Sequence, residues 1–192
     1  MSVILITPKR HGDERGWLSE SWNRKVFAEH GIDVDFCQDN HSMSAAKFTL
    51  RGLHFQTPPH AQAKLVRCLR GAIFDVAVDV RRASPTFGKW VAATLTADKG
   101  EQLFVPRGYA HGFLTLEANC EVAYKTDGYY AKQSEDGLIW SDLAVGIEWP
   151  CGDTAPLLKP EDAQWPMLAD LTVDFPYNGQ PLRPLSETSV CL

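Results

Sequence analysis

The sequence has no Cys-x-x-Cys pair, no apolar run of membrane-spanning length, no excess of positive charge and little helical periodicity. Each absence removes a class of protein. The five cysteines, Cys37, Cys68, Cys120, Cys151 and Cys191, are odd in number and far apart, which indicates neither a disulfide framework nor a thiolate zinc site. They read as reduced thiols of a cytoplasmic protein, with Cys68 and Cys120 as core filler in strand-like runs. The opening run Val3-Ile4-Leu5-Ile6 has no basic flank and stops at Pro8, which fits neither a secretory signal nor a membrane helix. With 19 Lys and Arg against 24 Asp and Glu, the net charge is -5. That balance gives no general attraction to nucleic acid or an anionic membrane, although a local cluster of cations could still hold a small anion.

What is present is apolar bulk in short alternating runs. Hydrophobic residues fill 44% of the 192 positions, with six Trp, five Tyr and nine Phe, enough for a large core without covalent staples. The length suits one domain over residues 1–170 and an extended tail over 171–192, rich in Pro and polar residues, pinned by Phe175 and Tyr177 and loose after them. Runs at 64–70, 73–80, 90–96, 102–105, 111–116 and 120–125 are β-branched or aromatic, with Gly, Pro and Asp between them. That spacing predicts an all-β sandwich or barrel. Helices are short and peripheral. One is capped by Asn23, runs through Phe27 and ends at Gly31; a further turn or two over 161–168 is interrupted by Pro166.

Two motifs point inside that barrel. Gly100, Pro106, Gly108 and His111 follow the spacing Gly-x5-Pro-x-Gly-x2-His, which resembles the second motif of the cupin superfamily. Pro106 and Gly108 make a turn, and the strand after it aims His111 into the barrel mouth. The motif's final Asn position is Thr115 here. The first cupin motif would supply a His-x-His pair, but Arg51-Gly52-Leu53-His54-Phe55-Gln56 has one His, with Gln56 in the place of the second. A divalent ion needs three or four convergent ligands. His54, His60 and His111 have lost that spacing, and His60 follows Pro58-Pro59 in a turn that favours solvent. No metal and no other cofactor is expected. The implied fold is a double-stranded β-helix, the cupin-like jelly roll.

Longer strings narrow the resemblance. Gly12 to Gly16, Gln38 to Ser42, Arg51 to Gln56, Lys64 to Cys68, Phe74 to Asp79, Ser84 to Gly88, Ala110 to Phe113 and Gly146 to Pro150 occur in that order. Together they resemble the dTDP-4-dehydrorhamnose 3,5-epimerase family, from about residue 3 to about residue 168. The resemblance implies conversion of dTDP-4-dehydro-6-deoxy-D-glucose to dTDP-4-dehydro-L-rhamnose, by a homodimer that exchanges N-terminal strands. It makes His54 the general base, oriented and charged by Asp162, and Tyr124 the acid on the opposite face of the sugar. Lys64 would hold the C4 oxygen, with His111 and Asp75 as a second pair at the sugar. Arg51, Arg15 and Lys64 would share the pyrophosphate, Arg15 serving the partner's site. Glu20, Gln38, Asn40 and Glu135 match polar positions around the nucleotide, and Tyr129 or Tyr130 matches the position that stacks on thymine.

The residue types suit those roles. Histidine titrates nearest neutral pH, and a carboxylate partner fixes its tautomer. A phenol is a weak acid able to return a proton to an enolate carbon. Holding the enolate charge is the main electrostatic demand, and the Arg fork matches phosphate. Each residue also has a plainer reading: a satisfied barrel histidine, a packing tyrosine, an edge lysine, a buried structural pair for His111 and Asp75, a surface carboxylate for Glu135. Some positions depart from the family. Glu161 stands where relatives often carry Lys, with Lys159 two residues earlier; Arg107 and Tyr109 replace an acidic residue and Phe; the tail after Leu168 matches nothing. Three alternatives stay open: a single-centre C3 or C5 epimerase of another dTDP-4-keto-deoxysugar, a metal-dependent cupin oxygenase or isomerase, and a non-catalytic sugar or nucleotide binder.

Overall fold

A computed structural model describes residues 1–185 and 187–190. In chain order the strands are β1 (Ile4–Pro8), β2 (His11–Asp13), β3 (Gly16–Leu18), β4 (Gln38–Ser44), β5 (Leu50–Gln56), β6 (Lys64–Arg70), β7 (Ala72–Asp79), β8 (Trp90–Thr96), β9 (Gln102–Val105), β10 (Tyr109–Thr115), β11 (Cys120–Thr126), β12 (Glu135–Gly137) and β13 (Glu187–Val190), with an α-helix, α1 (Arg24–Glu29), between β3 and β4. One sheet has the order β13-β1-β9-β6-β11-β4 and the other β12-β5-β10-β7-β8, while β2 and β3 form a separate hairpin. Neighbours are antiparallel, apart from the parallel pair β1 and β13. This is the expected cupin-like jelly roll.

The alternation of side chains divides the core into three. Val66, Cys68, Ile73, Ala77, Leu103 and Val122 fill the space between the sheets. Val76, Val78 and Ala110 point outward from the second sheet, under Leu171, Val173 and Phe175. Ile6, Leu65 and Phe104 point outward from the first sheet, under Phe27 and Ile32. Every residue of β10 is buried because both its faces are covered. Asn23 caps α1 as expected, accepting from the N–H groups of Lys25 at 3.1 Å and Val26 at 3.4 Å. The turns near residue 161 are 3₁₀, over Pro160–Ala163 and Leu168–Asp170, with Pro166 between them.

The expected runs at 64–70, 90–96 and 102–105 are strands with those limits. The C-terminal segment is extended, but it is not loose beyond Tyr177. Leu171, Val173 and Phe175 are buried at period two, and Leu182 returns to the core between the sheets. Arg81, itself 2% exposed, forks onto Asp79 and donates to Tyr109 Oη at 2.6 Å, Asn178 Oδ1 at 3.3 Å and Gln180 O at 3.1 Å. β13 then pairs with β1, Leu5 opposite Glu187 and Pro8 opposite Val190. Cys37, Cys68, Cys120 and Cys151 are free thiols, Cys68 and Cys120 buried as expected; Cys191 lies outside the described residues. Among the described residues no helix is long and apolar enough to cross a membrane.

Candidate active site

The two sheets part around a cavity of about 530 Å³, walled by β5 and β10 on one side and by β6, β11 and β4 on the other. Its construction turns on a register shift in β5. In a regular strand Arg51 and His54, three residues apart, would face opposite ways. Here His54 lies opposite His111 and Arg51 opposite Phe113, with the ladder slipping between them, and both side chains line the cavity. The slip brings two backbones into contact. A Cβ on Gly52, whose φ is +134°, would lie 2.5 Å from Gly112 Cα, and one on Gly112 would lie 2.7 Å from Arg51 O. Glycine at both positions is the condition for the bulge.

His54 Nε2 stands 2.8 Å from Asp162 Oδ1, and the Gly52 N–H donates to Asp162 Oδ2 at 3.2 Å. Burial alone would raise the Asp162 carboxyl, but the hydrogen bond and charge of His54 and the Gly52 N–H hold it below the usual carboxylate range. With Nε2–H donated to that carboxylate, Nδ1 keeps the lone pair. The Lys64 ammonium donates to His54 O at 3.4 Å. Loss of water pushes Lys64 down to about 8, against the pull of the Asp75 and Glu135 carboxylates, so it is a cation at neutral pH. His111 Nε2 lies 2.7 Å from Asp75 Oδ1, and both residues are buried. Burial holds this imidazole below its ordinary value, although Asp75 opposes the shift. Tyr124 lines the cavity from β11 on the other sheet, opposite Asn40 in register. Burial pushes its phenol up, with the Arg51 charge acting the other way.

A side lobe of about 140 Å³ continues from His54, Lys64 and Tyr124 to Gln38, Asn40, Tyr130 and Glu135. Of the two candidate tyrosines, Tyr130 lines this lobe and Tyr129 does not. The Tyr130 hydroxyl donates to Glu135 Oε2 at 2.8 Å and its N–H to Gln38 Oε1 at 3.2 Å, while Gln38 Nε2 donates to Asn40 Oδ1 at 3.0 Å. Arg51, at the edge of the main cavity, donates to Ser44 Oγ and Met43 O, each at 3.0 Å. Arg15 and Glu20 are not brought to the cavity of their own chain. Arg15 pairs with Asp13 at the tip of the β2–β3 hairpin, and Glu20 accepts from Asn23 Nδ2 at 3.0 Å beside the cap of α1. Sequence reasoning missed Ser42, Thr49, Phe113, Leu157 and Leu158 as lining residues. The Leu157 stretch reaches the site through a bridge to Thr49, a pairing with no local sequence signal. Lys159, noted beside Glu161, does line the cavity. Among the described residues no three His, Cys, Asp or Glu side chains are grouped as a metal would require.

An imidazole backed by a buried carboxylate, a phenol on the facing wall and an ammonium recessed between them define an acid–base site in a cupin-like barrel. Such a site can remove a proton from a carbon acid, hold the resulting anion and protonate it again. The family model for dTDP-4-dehydrorhamnose 3,5-epimerase matches residues 1–170. The dTDP-4-dehydrorhamnose 3,5-epimerase of Sinorhizobium fredii is 51% identical over 175 residues, covering 91% of this chain and 89% of that protein. That of Shigella flexneri is 53% identical over 161 residues, covering 83% and 87%. A crystal structure of the Legionella pneumophila dTDP-6-deoxy-D-glucose-3,5-epimerase, in complex with dTDP-4-keto-L-rhamnose, superposes with a TM-score of 0.85 at 41% identity, covering 91% of this chain and 94% of that one. The chain belongs to the dTDP-4-dehydrorhamnose 3,5-epimerase family.

Proposed function

We propose that the chain converts dTDP-4-dehydro-6-deoxy-D-glucose to dTDP-4-dehydro-L-rhamnose by epimerising C3 and C5, as a cytoplasmic homodimer without a metal or redox cofactor. The observation that carries this reading is His54 on one sheet, paired with Asp162 of the 3₁₀ turn, and Tyr124 on the other sheet, both lining one cavity. Both C3 and C5 flank the C4 ketone, so one enolate serves both centres. His54 Nδ1 takes the proton from carbon, and Asp162 stabilises the imidazolium that forms. Lys64 neutralises the charge on the C4 oxygen, in a site where water is scarce and a fixed cation counts most. Tyr124 returns a proton from the opposite face and inverts the centre. Arg51 meets the pyrophosphate, and the side lobe with Tyr130, Gln38 and Asn40 takes the base. Trp17 and Leu18, 59% and 76% exposed on the β2–β3 hairpin, support burial of that hairpin against a second copy. In that arrangement the hairpin carries Arg15 to the partner's pyrophosphate.

The test is turnover of the dTDP-keto sugar in heavy water, read by NMR. Wild-type protein should incorporate deuterium at C3 and C5. His54→Asn should lose exchange at both carbons, by about two to four orders of magnitude. Tyr124→Phe should keep exchange and lose inversion at one carbon at least, because His54 returns the proton to the face it came from. Label at one carbon only would make the protein a single-centre epimerase. Exchange by His54→Asn at the wild-type rate would remove His54 as the base.

A further inference from the structure

Gln56 occupies the position at which a metal-binding barrel would carry its second histidine, and the structure gives it a different task. It ends β5 and is 5% exposed. Its amide is committed to three backbone groups. Nε2 donates to His60 O at 2.7 Å and to Tyr129 O at 3.4 Å, and Oε1 accepts the Ala131 N–H at 2.6 Å. Two carbonyls and one N–H fix the amide in one orientation. They also clamp the chain on both sides of Tyr130. The Tyr130 ring is 55% exposed, so core packing does not hold it. Its hydroxyl is tethered to Glu135, which lies opposite Gln56 in the β12–β5 register. A tyrosine with its backbone clamped and its hydroxyl tied has little freedom left at its two side-chain torsions.

We propose that Gln56 is a positioning residue for Tyr130, holding the ring as a preformed platform for the flat base of a nucleotide. The proposal rests on the dTDP-sugar reading above. Stacking on an aromatic ring is a substantial part of base recognition, and a ring ordered before binding spares the complex the entropy of ordering it. Gln56→Glu keeps the length and one acceptor but sets an anionic oxygen against two carbonyls, so the clamp opens. Gln56→Met, isosteric and uncharged, removes all three bonds without adding charge and stands in if Gln56→Glu does not fold.

The experiment measures KM and kcat with the dTDP-keto sugar, and calorimetric Kd for dTDP alone, in Gln56→Glu, Tyr130→Ala and the double variant. Gln56→Glu should raise KM and Kd about tenfold while kcat stays within about twofold, the signature of lost binding with the chemistry intact. Tyr130→Ala should cost at least as much. The double variant should bind no more weakly than Tyr130→Ala, because both changes act through one ring. An unchanged Kd in folded Gln56→Glu overturns the proposal. So do additive losses in the double variant, or a fall in kcat at unchanged KM, which would place Gln56 in the service of His54. Wild-type protein that does not bind dTDP at all would refute the nucleotide reading, and the proposal with it.

Discussion

Asp162→Asn replaces one oxygen and nearly conserves volume, yet the geometry makes it a severe change. The Gly52 N–H, 3.2 Å from Oδ2, needs an acceptor, so the amide oxygen takes that place. The NH₂ then occupies the Oδ1 position, 2.8 Å from His54 Nε2. An amide nitrogen there donates, so Nε2 must accept, and the imidazole proton moves to Nδ1. The lone pair that would remove the substrate proton is gone, and the charge that would stabilise the imidazolium is gone with it. A wrong tautomer and a lost counter-charge should lower exchange at both carbons by about two to four orders of magnitude, or about 3 to 5 kcal/mol in barrier. The assay is deuterium incorporation at C3 and C5 by NMR, beside a thermal melt at neutral pH. The acid limb of stability should change as well. A carboxyl depressed in the fold contributes stability above its unfolded value, about 3.9, and loses it as pH falls through the folded value; the Asn variant lacks that contribution. Exchange within about threefold of wild type at both carbons would mean that Asp162 does not set the tautomer of the base, and the reasoning would fail.

Lys64 sets a second expectation. Its ammonium is the acid form, so kcat/KM, which reports the free enzyme, should fall as pH rises through about 8, and Lys64→Arg should move that limb to higher pH. A limb at the same pH in Lys64→Arg would assign the titration to another group. The tail supplies a third. Phe175 is buried against Phe55 with ring centroids 5.6 Å apart, so Phe175→Ala should cost about 3–5 kcal/mol of stability by chemical denaturation. A loss below about 1 kcal/mol would show that the tail is not part of the core.

How much of the fold was legible depended on where each strand's two faces look. β6, β8 and β9 announce themselves by β-branched and aromatic residues between turn signals, and their limits agree with the expectation. β4 was passed over because Gln38-Asp39-Asn40-His41-Ser42-Met43-Ser44 has almost no apolar face. Its inward residues line the cavity and its side lobe, so the alternation that marks a half-buried strand is replaced by polar against polar. β13 was missed for a different reason. It lies at a sheet edge beside β1, and its partner is 182 residues away in sequence, Leu5 with Glu187. Nothing local demands such a pairing. The alternating burial of Leu171, Val173 and Phe175 was visible in principle, but the prolines around it read as a tail.

Part of the candidate site's lining was legible as a set of residues, its arrangement was not, and β5 shows why. Period two assigns Arg51 and Leu53 to one face and His54 to the other, which would leave either Arg51 or His54 outside the barrel. The glycine at 52 could have warned of a bulge, but a glycine in a strand has several explanations. What decides among them is Gly112, sixty residues later, on the antiparallel strand beside it. With no Cβ on either residue the backbones close to contact, the register slips, and Arg51 and His54 reach the same cavity. The same slip aims the Gly52 N–H at Asp162, which in turn holds His54. One local distortion thus places His54, orients Asp162 and brings Arg51 to the same cavity. A side chain as small as alanine at either glycine would have to undo all three together.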